Sequence, residues 1–85
     1  PVQDTAPQTT SNAEQSAGEQ IAQAESSGSY TAQNGRYYGK YQLDISYLHG
    51  DLSPENQERT FVQYCKSRYG SVENALIFRQ IHNWY

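Results

Sequence analysis

Cysteine, proline and methionine are scarce or missing: this chain of 85 residues has one Cys, three Pro and no Met. With Cys65 alone, no disulfide can close within the chain, and a structural zinc site is not expected. No apolar run approaches the roughly 20 residues that a membrane-spanning helix requires, and only 35% of the residues are hydrophobic. Positive charge is missing from the first part of the chain. Residues 1–35 carry Asp4, Glu14, Glu19 and Glu25 with no Lys or Arg, whereas residues 36–85 are nearly balanced. The net charge of −3 and the lack of a basic stripe argue against a nucleic-acid binder. A signal peptide is also missing, but a chain that opens at Pro1 is compatible with removal of one, so its absence does not argue for the cytoplasm.

Tyrosine is the residue in excess: eight, against two Phe and one Trp. Tyr30, Tyr37, Tyr38, Tyr41 and Tyr47 fall within one short stretch. Residues 1–12, "PVQDTAPQTTSN", hold too little apolar surface to offset the entropy of ordering them. They read as a disordered tail or linker, and residues 13–85 as the folded domain, small enough that its core must be efficient.

Within that domain, Ser11 or Asn12 can cap a helix from about Ala13 to Ser26. Ala13, Ala17, Ile21 and Ala24 make a narrow apolar stripe along it, and Gly28 can take the left-handed conformation that closes it. Asn34-Gly35 is a strong turn signal and predicts a small β-hairpin or an irregular loop. A short helix is expected over Leu43–Leu48. Ser53, Pro54 and Glu55 open the clearest helix, in which Phe61, Cys65 and Tyr69 form an i, i+4, i+8 row ended by Gly70. Ser71 caps a last helix from Val72 to about Trp84, with Val72, Ala75, Leu76, Ile77, Ile81 and Trp84 as a broad apolar face. The fold expected is mostly α with a minor β component: about four helices, and a Tyr/Gly-rich loop or short hairpin after the first.

Glu25 breaks a local rule. Helix carbonyl ends are electronegative, so a carboxylate in the last turn is electrostatically misplaced and its charged form disfavoured. If tyrosines also desolvate it, its proton is held towards neutral pH, as a general acid requires. Other constellations carry less. His49, Asp51 and His82 match no metal-ligand spacing, so no metal or cofactor is expected. Cys65 lies in an apolar helical row and reads as a small buried hydrophobe rather than a nucleophile.

Glu25-Ser26, a Gly/Asn-rich segment and then Gly39-Lys40-Tyr41-Gln42 resemble the lysozyme-like family of bacterial peptidoglycan-cleaving domains, in which a helix ends in Glu-Ser and Gly-x-x-Gln follows. The runs "ESSG" and "QNGRYYGKYQ" look like those of lytic transglycosylases and resuscitation-promoting factors. With "GKYQL", "NQER", "SRYGS" and a terminal "WY", the sequence is most similar to the C-terminal domain of lactobacillar aggregation-promoting factors. The resemblance covers about residues 18–85, and Ser27 stands where the family usually has Gly.

The resemblance implies a lysozyme-like fold and cleavage of peptidoglycan glycan strands, as a lytic transglycosylase or muramidase, by a secreted or wall-associated monomer of a Gram-positive bacterium. Glu25 matches the catalytic acid, which protonates the oxygen between N-acetylmuramic acid and N-acetylglucosamine and then removes a proton from the sugar's 6-hydroxyl. That scheme needs one carboxylate; an ordinary glycosidase needs two, about 5–5.5 Å or 6.5–9.5 Å apart. Asp44 is the nearest candidate for a second, and is otherwise a helix cap. Gln42 is expected to line the cleft and bond the sugar or Glu25, and Ser26 to orient the acid. Tyr30, Tyr37, Tyr38 and Tyr41 offer flat faces for pyranose rings, although some must serve the core. The other reading is a non-catalytic wall-binding or aggregation module on the same fold.

Overall fold

The computed structural model describes residues 12–85, so the expected tail lies, except for Asn12, outside the described residues. Helix α1 spans Asn12–Ser26. Its buried side is Ala17, Gly18, Ile21 and Ala22, while Ala13 and Ala24 face solvent. The expected stripe is therefore half right. Gly18 supplies the missing part, because a Cβ there would come within 3.3 Å of Phe61 Cε2. Its absence lets the ring lie against the helix backbone.

Three two-residue strands follow: β1 (Gln33–Asn34), β2 (Tyr37–Tyr38) and β3 (Leu43–Asp44), antiparallel in the order β1-β2-β3. Asn34 pairs with Tyr37, so the loop is Gly35-Arg36, with Gly35 at φ 63. The turn is thus shifted by one residue from Asn34-Gly35, and glycine occupies the position that needs positive φ. The short helix expected over Leu43–Leu48 begins later. Leu43 and Asp44 pair with Tyr38 and Tyr37, and a 3₁₀ turn covers Ile45–Leu48, capped by the Asp44 side chain accepting from Ser46 N–H.

Helix α2 (Pro54–Tyr69) is capped by Ser53, which accepts from Asn56 N–H, and is closed by Gly70 at φ 91. Helix α3 (Val72–His82) starts on Ser71 and stops at Asn83 in the left-handed region. Phe61, Cys65, Val72 and Ala75 join Ala17, Ile21, Ala22, Tyr41 and Leu43 in one core. Burying a ring such as Phe61 contributes roughly 1.5–3 kcal/mol. The broad apolar face expected for α3 is corrected. The helix packs on α1 and α2 through Val72 and Ala75, leaving Ile77, Ile81 and Trp84 exposed. Beyond Asn83 the chain folds back over the core: Tyr85 donates its hydroxyl to Tyr41 O at 2.6 Å, and its own carbonyl accepts from the Tyr64 hydroxyl at 2.9 Å.

Candidate active site

The end of α1 is closed by Ser27 N–H bonding Gln23 O and Gly28 N–H bonding Ala22 O. Ser27 and Gly28 both take left-handed backbone, φ 57 and 83. That explains why glycine suits position 27, and shows Ser27 tolerated under strain. Ser26 Oγ donates to Lys40 O at 2.6 Å and accepts from Ser29 N–H at 3.1 Å. It ties the helix end to the Tyr-rich loop and makes no hydrogen bond with Glu25.

Glu25 projects from this last turn onto α3. Its Oε2 accepts from Arg79 Nε at 2.8 Å, and each side chain is only 20% exposed. The sequence argument pictured an acid wrapped by tyrosines; instead a full positive charge faces it and opposes the helix-end effect. The aromatic neighbour is Tyr85, from a segment not singled out as a contact, whose buried hydroxyl lies within electrostatic reach of Glu25. Burial first, and nearby negative groups including Glu25, push that phenol well above its ordinary value, so it stays neutral.

A groove of about 270 Å³ has Tyr85 in its wall. From the sheet side it is lined by Tyr37, Gln42, Leu43 and Asp44, and from the other side by Tyr47, Tyr64, Arg68 and Trp84. Tyr85 is common to the groove and the Glu25 neighbourhood; Glu25 itself does not line the groove. Tyr37 is 47% exposed and keeps a ring face free. Gln42 is spent locally: its Nε2 donates to Ala32 O and Gly39 O, and its Oε1 accepts from Asn34 Nδ2. Asp44 is occupied at both oxygens, one by Ser46 N–H and one by Arg36 at 2.7 Å. These donors hold its carboxyl below the usual range, the Ser46 backbone bond most of all.

Two of the candidate tyrosines serve structure. Tyr41 is 4% exposed and stacks on Phe61 with centroids 3.7 Å apart and planes 7° from parallel, so it has no face for a sugar. Its hydroxyl and that of Tyr30 both donate to Glu58, each at 2.6 Å. Lys40 Nζ completes the cluster, 3.0 Å from Glu58 and 2.7 Å from Glu19. Burial pushes the Glu58 carboxyl up, but the two hydroxyls and the ammonium outweigh it and leave it below its ordinary value. Tyr38 is half-buried in the middle strand.

Sequence reasoning missed Gln57, Glu58 and Arg79. Buried Gln57 accepts from Lys40 N–H and donates to Tyr30 O and Leu52 O. A signal existed for it, because the Phe61, Cys65 row runs back one turn to Gln57. Arg79 likewise extends the Val72, Ala75 stripe by one more turn. A polar side chain on an apolar row must find a partner. No cluster among the described residues has the make-up of a metal site.

These features define a small, mostly helical domain with a three-stranded antiparallel sheet, an ion-paired acid at the end of its first helix and an aromatic groove alongside. Over 66 residues the chain is 38% identical to a protein of Staphylococcus xylosus named "Probable transglycosylase IsaA". The match takes in 76% of this chain and 26% of that protein, so the chain spans about a quarter of its relative's length. The similarity supports the lysozyme-like and lytic transglycosylase superfamily, and does not single out aggregation-promoting factors. No family model and no solved structure matches the chain.

Proposed function

We propose that this domain cleaves peptidoglycan glycan strands with Glu25 as its single acid/base, in the manner of a lytic transglycosylase. The observation that carries the reading is the state of the two carboxylates. Glu25 has only Oε2 engaged among the described residues, whereas Asp44 has both oxygens occupied. A two-carboxylate glycosidase needs a second acid free to act as nucleophile or to activate water, and Asp44 is poorly suited to either task. With one carboxylate, Glu25 protonates the glycosidic oxygen and then accepts the proton of the sugar's 6-hydroxyl, which closes an anhydro ring without water. Tyr37 and Trp84 offer exposed rings for pyranose faces. The staphylococcal relative's name is consistent with this chemistry. No described helix is long and apolar enough to cross a membrane.

One observation favours the second reading, a wall-binding module without catalysis: Glu25 is held by Arg79 and lies outside the groove lining. Purified peptidoglycan digested by wild type and by Glu25→Gln distinguishes the two. Catalysis predicts soluble muropeptides with anhydro ends, one water lighter than hydrolysed ends by mass spectrometry, from wild type alone. Equal release by both proteins rejects Glu25 as the acid; no release by either, with wall pull-down intact, leaves the binding module.

A further inference from the structure

We infer that Arg79 is a positioning residue for Glu25: it holds Oε2 and leaves Oε1 as the oxygen that exchanges a proton with the glycan. This rests on the catalytic reading above. The pair joins α1 to α3 across 54 positions of sequence through one bond of 2.8 Å. Glutamate has three rotatable side-chain bonds, and a carboxylate in the last turn of a helix would otherwise sample many positions. Tying one oxygen to a guanidinium leaves a single oxygen pointing in a set direction. A small error in that direction is costly, because proton transfer needs hydrogen-bond distance to the acceptor.

The backbone that carries Arg79 is anchored. Its carbonyl accepts from Asn83 N–H at 2.7 Å, which closes α3. The preceding residue, Phe78, packs against Tyr69, His82 and Trp84. Stability alone is a weak reason for such a pair, since an ion pair this far out of water is often replaceable by apolar side chains without loss. Arg79 from α3 is ion-paired with Glu25, and the phenol of Tyr85, from the C-terminal segment, stays neutral within electrostatic reach of it. Arg79 therefore sets the direction of the carboxylate.

The test uses purified glycan strands and the pH dependence of kcat/KM and kcat for wild type, Arg79→Ala and Arg79→Lys, with rates normalised to the folded fraction by circular dichroism. Arg79→Ala is expected to lower the plateau of kcat by about 10–100-fold with little change in KM. Arg79→Lys restores a hydrogen-bonding cation, so much of the kcat plateau should return. If Arg79→Ala does not fold, Arg79→Gln, neutral and of similar reach, takes its place. A plateau equal to or above wild type in the neutral variant, or a lysine variant no better than the neutral one, overturns the inference. Glu25→Gln separates the two levels: its inactivity keeps the catalytic reading whatever Arg79 does, and its full activity removes both.

Discussion

The cluster around Glu58 gives the strongest test of what holds the Tyr-rich loop to the helices. Replacing Glu58 by Ala removes the acceptor of Tyr30 and Tyr41, both at 2.6 Å, and one of the two carboxylates of Lys40. Tyr41 and Lys40 are 4% and 7% exposed, so neither can turn to water without disturbing the core. Each hydrogen bond to a charged acceptor contributes about 1.5–3 kcal/mol. The Glu58 side chain is 41% exposed, so its pairing with Lys40 is partly screened and adds little. Lys40 also retains Glu19 at 2.7 Å. The net loss expected is about 3 kcal/mol, a large share of the roughly 5–10 kcal/mol available to a domain this small. Urea unfolding should show a lower midpoint at unchanged slope, and Tm should fall by roughly 12–24 °C. Glu58→Gln, which keeps an acceptor but not the charge, should lie between. A loss below about 1 kcal/mol for Glu58→Ala would show that the cluster is ornamental and refute the argument.

The same cluster sets a pH window. Glu58 titrates below its ordinary value in the folded protein, so its contribution is full above the unfolded carboxylate range and is lost as pH falls through the depressed folded value. For Lys40, burial lowers the value but the bonds to Glu19 and Glu58 outweigh it, for a net rise. Its contribution is full below the unfolded lysine range and is lost as pH rises through the raised folded value. The cluster should therefore be at full strength from about pH 5 to pH 10. Below that window, stability of wild type should fall more steeply than that of Glu58→Gln.

Three further substitutions test separate links. Ser27→Gly removes the strain of a non-glycine residue at φ 57, and is expected to stabilise by about 0.5–1 kcal/mol in urea unfolding. Gly39→Ala should cost about 2–4 kcal/mol, because φ is +91 and the new Cβ would collide with the Gln57 side chain amide; unchanged stability would show that Gln57 can leave its three backbone bonds freely. Tyr37→Ala should leave Tm nearly unchanged, since the ring is 47% exposed. It should weaken association with glycan strands by about 1–3 kcal/mol, a scale taken from ring stacking on nucleobases, as read by isothermal titration.

The capped helices were legible because each cap is a local event: Ser53 with Pro54, Gly70 and Ser71 act within one turn, and all three hold their expected positions. The hairpin turn moved by one residue because Asn and Gly both accept positive φ, and only the pairing of Asn34 with Tyr37 fixes which residue does. The face of α3 was misread for another reason. Ile77 and Ile81 share the helical period of a core face, but the neighbours available to α3 meet the side bearing Val72 and Ala75. Periodicity identifies an apolar face and does not say whether anything covers it. At the candidate site, Glu25 was legible as a broken local rule, but Arg79 lies 54 positions away, and no local pattern encodes a partner at that separation. Tyr41 and Tyr37 look alike in sequence; their division into core and groove follows from the sheet, and from Gly18 admitting Phe61 close to α1.

The polar side chains that hold the site work across segments that would otherwise be independent. Ser26 grips the loop at Lys40 O, Gln57 grips it at Lys40 N–H and Tyr30 O, and Glu58 grips it at three side chains. Lys40 is therefore held at its amide, its carbonyl and its ammonium, by α2, α1 and both helices respectively. A loop with two-residue strands has too few ladder hydrogen bonds to stay ordered alone, and these bonds supply the missing constraint. Tyr41, the next residue, carries that order onward, because its carbonyl receives the hydroxyl of Tyr85. Tyr85, which lines the groove, is thus fixed from the loop side, while Glu25 is fixed from α3 by Arg79. Loosening Lys40 should accordingly disturb the surroundings of the acid without touching it: Gln57→Ala should broaden the Tyr85 ring resonances in NMR spectra while the α2 amides stay sharp. Sharp Tyr85 resonances in that variant would show that the C-terminal segment is held by Tyr64 alone, and that loop and acid are not coupled by this route.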